Sequence, residues 1–387
     1  MLLFEAQSIY GYSNSTVTLQ FNNCIKKHKK RVKMSMSEAI EVDISDLPGV
    51  GPATKAKLES GGITTILDLA ASTTSELVDN LNITEETAHN LVFEAQKLLK
   101  EKGYLEKDLV SANELFARRS KMLKCTTFSQ NLDDLLAGGI ETQAVTEFYG
   151  EFGSGKTQIC HTACVATQLP VEQKGLAGSA LYIDTESTFR PERIAQIAEA
   201  RSLDVENVLN NVHVAKIYNA SHLELIVRAM GNLIQQNNIK LVIVDSIISL
   251  HRAEFLGRGT LSERQQKLNA IMHRLKRIAE IYNVAVIITN QVQSSPDTFF
   301  GDPTKAAGGN IIGHASTYRV YLRKAGQERK AIMIDSPMHP YGDTNFIVTQ
   351  GGVADPADKA DKKPTKFVKK ATTVEKQQEE SEEDDEE

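Results

Sequence analysis

The sequence predicts an α/β fold: a P-loop core with a mostly parallel sheet, preceded by a small all-α domain and flanked by disordered tails. Three observations predict it. Between about 126 and 352, short apolar runs alternate with helical stretches, the pattern of a parallel sheet covered on both faces. The stretch "GEFGSGKT" at 150–157 lies between one such run and a helical pattern. Residues 44–103 carry the apolar spacing of short amphipathic helices, broken at Pro48-Gly49 and Gly61-Gly62.

Residues 1–38 differ in character from the rest of the chain. "NNCIKKHKKRVKMSMSEAIEVD" passes through a basic cluster and two internal methionines, Met34 and Met36. A basic DNA-touching arm is one reading. An upstream start, with Met34 or Met36 the true first residue, is the reading adopted, because residues 1–24 lack the composition of a disordered tail.

Residues 39–103 form the helical domain. In "LPGVG", Gly49 and Gly51 have the form of a helix–hairpin–helix turn, whose backbone N–H groups contact phosphates without reading sequence. A hairpin serving helix packing alone competes with it. "TEETAHNLVFEAQKLLKEKG" is a longer helix opened by Thr84, with Glu85 and Glu86 in its first turn. Residues 104–125 connect to the core and contain a further helix in "SANELFARRSKML".

The core spans 126–354. Strands are expected at 144–149, 180–184, 212–217, 241–245 and 284–289, and a helix at 261–282 with one stripe of Leu261, Leu268, Ile271, Met272, Leu275, Ile278 and Tyr282. Residues 316–352 read as a closing antiparallel extension, and 355–387 as a disordered tail, basic and then acidic.

Gly150, Glu151, Phe152, Gly153, Ser154, Gly155, Lys156 and Thr157, with Gln158 after them, come directly after a strand and open a helix, the context that makes a P-loop pattern strong. Its glycines let consecutive N–H groups point at phosphates, and the helix N-terminus adds its dipole. Lys156 is expected on the β- and γ-phosphates of ATP and Thr157 on Mg²⁺. Asp245, closing "KLVIVDS", is the second metal ligand; an N-terminal helix cap is its rival role. Glu186, just past a strand's carboxyl end, is placed to polarise water, against a surface carboxylate as the plainer reading. Gln291, at the end of "VAVIITNQ", reaches the same edge.

"HRAEFLGRGTLSERQQKL" places Arg252, Arg258 and Arg264 around Gly257 and Gly259, read as a flexible loop whose guanidinium groups suit phosphate backbones. A solvated charged loop is the alternative. A second long loop, "VQSSPDTFFGDPTKAAGGNIIGHAS", carries Phe299, Phe300 and Lys305, suited to stacking on or wedging between bases.

Taken together and in this order, "LPGVGPATKAKL", "GGIETQAVTEFYGEFGSGKTQICH", "YIDTESTFRPERI", "LVIVDS", "RAEFLGRGTLSERQQKL", "ITNQV" and "GGNIIGHASTYRVYLRK" resemble the archaeal RadA recombinases of the RecA-like strand-exchange family, over about residues 40–352. The resemblance implies a filament on single-stranded DNA that pairs it with a homologous duplex, with ATP between subunits. It implies Glu186 as the catalytic carboxylate, the two loops as DNA-binding, and Gln291 and His314 as γ-phosphate sensors. It also implies Asp335-Ser336-Pro337 as the neighbour's cap over ATP and Arg193 near the adenine. Three departures stand out: residues 1–33 and the acidic tail have no counterpart in the family, and two more lie within the resemblance. Ser187 replaces the family's glycine after the catalytic glutamate. The linker's Phe-x-x-Ala segment is here "LVSA", with Leu109 and Ala112 at the subunit interface, so a smaller side chain enters the neighbour's pocket.

Composition sets the remaining bounds. The net charge of −6 is uneven, since "EKQQEESEEDDEE" at 375–387 holds much of the acid, and the remaining body can bind nucleic acid through local patches. No run approaches the ~20 apolar residues of a membrane span. The start lacks a signal peptide's basic and apolar regions. The four cysteines have no metal-ligand spacing, and Cys160 and Cys164 read as small core residues. The expected setting is cytoplasmic and nucleoid-associated. The leading function is an ATP-dependent recombinase acting in recombinational repair. A paralogue that loads filaments without exchanging strands is the alternative, and a hexameric helicase motor comes third.

Overall fold

The computed structural model describes residues 43–255, 257, 259–294 and 304–356. Expectations for residues 1–38, Arg258, Phe299, Phe300 and the tail beyond 356 lie outside the described residues.

A single turn of 3-10 helix, Ile44–Asp46, leads through Gly49 (φ 87°) to α1 (Pro52–Ser60), whose N-cap is Gly51 and whose first residue is proline. Three more helices come next: α2 (Ile66–Ala71), α3 (Thr74–Leu81) and α4 (Glu85–Glu101). Each starts where a threonine hydroxyl can take an orphan N–H of the first turn. Thr65 and Thr73 form capping boxes with Asp68 and Glu76, and Thr84 caps α4 as its sequence predicts. The connector contains α5 (Ala112–Arg119), capped by Ser111.

The core begins with β1 (Lys124–Cys125), α6 (Gln130–Leu135) and β2 (Ile140–Glu141). It continues with β3 (Val145–Gly150), α7 (Lys156–Ala166), β4 (Ser179–Asp184), α8 (Pro191–Ala200), α9 (Val205–Asn210) and β5 (Val212–Lys216). Next come α10 (Ala220–Gln236), β6 (Ile239–Asp245), α11 (Ser249–Glu254), α12 (Leu261–Tyr282) and β7 (Ala285–Asn290). The chain closes with β8 (Val292–Ser294), β9 (Thr304–Ala306), α13 (Gly309–Ala315), β10 (Tyr318–Ala325), β11 (Glu328–Asp335), β12 (Gly342–Thr349) and β13 (Gly352–Ala354).

The nine-stranded sheet has the order β13-β12-β11-β10-β3-β7-β6-β4-β5. From β5 to β10 every pair is parallel, and β11 to β13 are antiparallel. The three strands β3, β4 and β7 are buried at every residue, which is why they read as unbroken apolar runs. One face packs on α10, α12 and α13, and the other on α6 to α9.

The helical domain shares the first of these cores. Asp68, 2% exposed, accepts a hydrogen bond from the Tyr282 hydroxyl at 2.6 Å. Beneath them lies Gly231, in the interior of α10, where a Cβ would stand 1.9 Å from Asp68 Oδ1 and 2.2 Å from the Tyr282 oxygen. A helix-interior glycine costs about 0.5–1 kcal/mol relative to alanine; here it makes room for a polar contact between the two layers. Arg274 donates to Glu76 (3.1 Å) and to the Arg228 carbonyl (3.1 Å), and Arg277 to the Ser72 carbonyl (3.0 Å).

Three expectations need correction. Leu261 is 40% exposed and outside the stripe of α12, because it is the first residue of the helix and lies beyond the layer that covers Leu268 onward. Asp355 belongs to the core rather than the tail: its carboxylate accepts from the Ser129 hydroxyl (2.5 Å) and from the N–H groups of Gln130 (3.0 Å) and Asn131 (3.1 Å). The segment after Gln291 is not one long loop. It holds the antiparallel pair β8–β9 and the helix α13, and Lys305 is on β9.

Candidate functional site: the nucleotide cleft and its loops

A cleft of about 920 Å³ opens at the carboxyl edge of the parallel strands, where ligands sit in open α/β sheets. β3 delivers its floor, and the chain turns into α7 through Gly155, whose φ is 107°. A Cβ there would lie 3.2 Å from the Phe346 ring, in a backbone region that side chains rarely adopt. The α7 N-terminus therefore opens directly into the cleft with its first N–H groups unclaimed by the helix. Lys156 Nζ donates to the carbonyls of Gly150 (2.8 Å) and Glu151 (2.9 Å), both in its own loop. Burial pushes its pKa down, while Asp245 and Glu186 pull it back up. Ser154 Oγ is buried without a partner, and Phe152 is 95% exposed.

Asp245 ends β6 and is 2% exposed. Its carboxylate survives burial because three hydroxyls donate to it: Thr157 Oγ1 at 2.9 Å, Tyr182 at 2.5 Å, and Thr289 Oγ1. The helix-cap alternative is excluded, since α11 has Ile248 at its N-cap and no side-chain cap. Thr157 and Asp245 thus meet in a hydrogen bond, two oxygen donors of the kind that could hold Mg²⁺.

Glu186 is presented by a turn built on Asp184. The Asp184 carboxylate accepts from the N–H groups of Glu186 (3.3 Å), Thr188 (3.1 Å) and Phe189 (3.2 Å), folding the chain back over the end of β4. Ser187 has φ 57°, so a serine stands in the left-handed region that favours glycine. His161 locks the turn to α7: its Nδ1–H donates to the Thr157 carbonyl (2.8 Å) and its Nε2 accepts from the Arg190 N–H (3.2 Å). Those partners require the neutral ring, and burial lowers its pKa. Glu186 Oε1 accepts from Ser246 Oγ (2.6 Å) and Gln291 Nε2 (2.8 Å), and Gln291 Oε1 accepts from Arg252 Nη1 (3.3 Å).

The first loop differs from its sequence reading. Arg252 lies on α11 and Arg264 in the first full turn of α12, so only residues 255–260 lie between the two helices. The two glycines suggest a loop, but the helical pattern resumes directly after them. Arg193 reaches the cleft from α8, held by Gln158 Oε1 (2.8 Å) and the carbonyls of Thr349 (2.5 Å) and Gln350 (2.9 Å). His314, Asp335 and Pro337 do not line this cleft. Asp335 pairs with Arg319 in the sheet register, whereas the P-loop's Gly150 pairs with Leu322 further along β10. In the connector, Ala112 opens α5 and Leu109 is 91% exposed.

Several residues that hold Asp245 from within the sheet or line the cleft escape the sequence reading. Tyr182 and Thr289 are hydroxyls inside apolar strand runs, and a polar atom in such a run is the signal that could have found them. Arg329 lines the cleft from β11 with a buried Nε that has no partner, and Thr188 Oγ1 is likewise unpartnered. Only the topology brings β11 there. Unclaimed donors, an oxygen-ligand pair and an open helix N-terminus together fit a nucleotide phosphate chain with Mg²⁺.

Residues 118–356 match the family model described as Rad51, and residues 41–97 match that of the SAM-like helix-hairpin-helix tandem. The chain is 52% identical over 314 residues to the DNA repair and recombination protein RadA of Cenarchaeum symbiosum (strain A), covering 81% of this chain and 79% of that protein. It is 48% identical over 315 residues to the protein of the same name from Aeropyrum pernix, covering 81% of this chain and 97% of the relative.

Proposed function

The chain belongs to the Rad51 family, and on that premise we propose that it is an ATP-dependent recombinase: it assembles on single-stranded DNA and pairs it with a homologous duplex in recombinational repair. The observation that carries the reading is Gln291. Its side chain touches Glu186 through its amide and Arg252 through its carbonyl, so one residue joins the carboxylate of hydrolysis to an arginine beside the first DNA segment.

When bound, ATP supplies the scissile anhydride and Mg²⁺ the charge that stabilises its leaving oxygens. Lys156 exchanges its loop carbonyls for phosphate oxygens, and a polyanion restores the ammonium form that burial disfavours. Thr157 and Asp245 would hold the metal. With Oε1 of Glu186 held by Gln291 and Ser246, Oε2 is the oxygen available to take the proton of the attacking water. Gln291 reports the γ-phosphate to the segment it begins, where Phe299, Phe300 and Lys305 contact DNA. Arg252, Arg258 and Arg264 hold the phosphate backbone, and the Gly49–Gly51 turn adds a contact that reads no sequence. Leu109 and Ala112 join one subunit to the next, and Asp335 and Pro337 cap the neighbour's nucleotide, with Arg193 near its own adenine. His314 does not line this chain's own cleft, so as a second phosphate sensor it would act on a neighbouring subunit's nucleotide. Among the described residues no helix is long and apolar enough to cross a membrane, and DNA as substrate puts the protein at the nucleoid.

The test is joint-molecule formation between a single strand and a homologous supercoiled duplex, with ATP and Mg²⁺. A heterologous duplex and the Lys156→Ala variant serve as controls. Homology-dependent product that requires Lys156 is expected. DNA binding and ATP turnover without joint molecules would instead identify a mediator.

A further inference from the structure

We propose that Glu147, in the middle of the central strand β3, is a positioning residue that ties the end of β7 to the stem of the second DNA segment and to α13. The inference rests on the reading of Gln291 given above and adds to it the element that transmits its state.

Glu147 is fully buried, and both carboxylate oxygens are used. Oε1 accepts from Asn290 Nδ2 at 2.8 Å, and Oε2 from Arg319 Nε at 2.6 Å. The same Asn290 Nδ2 donates to the Ala307 carbonyl at 2.7 Å, and the Ala307 N–H donates to the Gln291 carbonyl at 2.8 Å. Residues 290 and 291 are therefore clamped to residue 307 by one side-chain and one main-chain bond. Ala307 directly follows β9, so the clamp fixes where the β8–β9 stem leaves the sheet.

Arg319 extends the tie to α13. Its guanidinium stands where a Cβ on Gly313 would lie 2.8 Å from Nη1, so the helix rests directly on it, one residue before His314. Beside it, Tyr149 and Tyr321 stack at 5.2 Å, and Val292 and Ala306 of the stem pack on that pair. The whole set occupies one face of the sheet, because Glu147 and Tyr149 alternate with the oppositely directed Phe148.

Packing alone does not account for a carboxylate here. An apolar side chain of similar volume would fill the space with no charge to desolvate, and buried ion pairs are often replaceable in that way without loss of stability. What Glu147 adds is direction: its two oxygens accept the donors only when β7, the Ala307 junction and β10 are in one register. A shift of Gln291 toward or away from Glu186 pulls on that junction through the shared Asn290 amide.

The full-length protein with Glu147→Gln tests this against wild type. Three quantities are measured: affinity for a fluorescent ATP analogue, ATP turnover without DNA, and the factor by which a poly-dT oligonucleotide stimulates turnover. Analogue affinity and basal turnover are expected within about twofold of wild type, with the stimulation factor reduced about tenfold or more, the size of a typical coupling between sites. Should Glu147→Gln fail to give a cooperative melt, the double variant Glu147→Gln/Arg319→Gln removes both charges together and is expected to lose stimulation in the same way. Wild-type stimulation in a folded variant overturns the role of Glu147. So does a proportional fall in all three readouts, the mark of a merely structural residue. A wild-type protein that the oligonucleotide does not stimulate overturns the reading of Gln291 itself, a distinct failure.

Discussion

The seam between the helical domain and the core, and the cleft at the carboxyl edge of the sheet, are both lined with charged groups. They differ in what those groups touch. At the seam, Arg228, Arg274 and Arg277 line a smaller cleft of about 440 Å³ with Glu76 and Asp79. They donate to Asn80 Oδ1, to Glu76 and to main-chain carbonyls, while Arg274 Nε and Glu224 Oε1 are buried without a hydrogen-bond partner. In the nucleotide cleft, Lys156 donates to carbonyls of its own loop, in which Ser154 Oγ is buried without a partner, and Thr188 and Arg329 on the cleft wall each keep a buried polar atom unpartnered. Buried polar groups without partners are rare because each costs roughly 1–3 kcal/mol. The seam's arginines bind across to neighbouring elements and hold a structure together; the cleft's lysine donates to its own loop, a bond it can exchange for something that comes and goes.

Variants on the two sides should therefore fail differently. Lys156→Ala should abolish nucleotide binding while the protein still melts cooperatively, and wild-type affinity for a fluorescent ATP analogue would remove the cleft from the comparison. Glu186→Gln should bind that analogue normally and lose about 10²–10⁴-fold in turnover, with longer-lived filaments by electron microscopy; near-normal turnover would move the base elsewhere. On the seam, Gly231→Ala would stabilise an ordinary helix interior by up to ~1 kcal/mol. Here it should destabilise the fold by about 1–3 kcal/mol through overpacking against Asp68 and Tyr282, with nucleotide affinity unchanged. A denaturant melt reads the sign, and a gain in stability would show that the seam yields. The smallest effect belongs to the connector: Leu109→Phe should tighten subunit association by about 1–2 kcal/mol if the pocket it enters is sized for an aromatic ring, measured by light scattering against protein concentration.

Legibility in the sequence followed the physics of each element. β3, β4, β6 and β7 are buried on both faces and stand out as apolar runs, while β5 at the sheet edge is legible from its alternation alone, and the glycine-rich turn between strand and helix marks the candidate phosphate loop. The helix starts at Thr65, Thr73 and Thr84 arise from local capping. Contacts made across the chain were hidden. Asp355 caps a segment 225 residues before it, and Arg329 enters the cleft only because β11 folds back along β10. Arg252 and Arg264 look like loop residues beside two glycines, yet the α12 pattern begins at Leu261. The Glu186 carboxylate was legible; the Asp184 turn that aims it was not, since nothing local marks a carboxylate that accepts three N–H groups of the chain just after it.

The sheet register has one more consequence. Gly150 stands at the carboxyl edge beside Leu322, and β11 runs the other way, so that Asp335 leaves the sheet beside Arg319 and the chain turns back to put His339 against Tyr318. On the proposed reading, the nucleotide and the cap that covers it belong to two poles of one molecule and cannot meet within a single chain. Two copies joined through such surfaces have no twofold axis between them, because each offers the other a different patch. The contact is heterologous, and repeating it yields either a closed ring or an open helix with distinguishable ends. On that reading, the two unlike ends of the assembly come from the antiparallel course of a single strand.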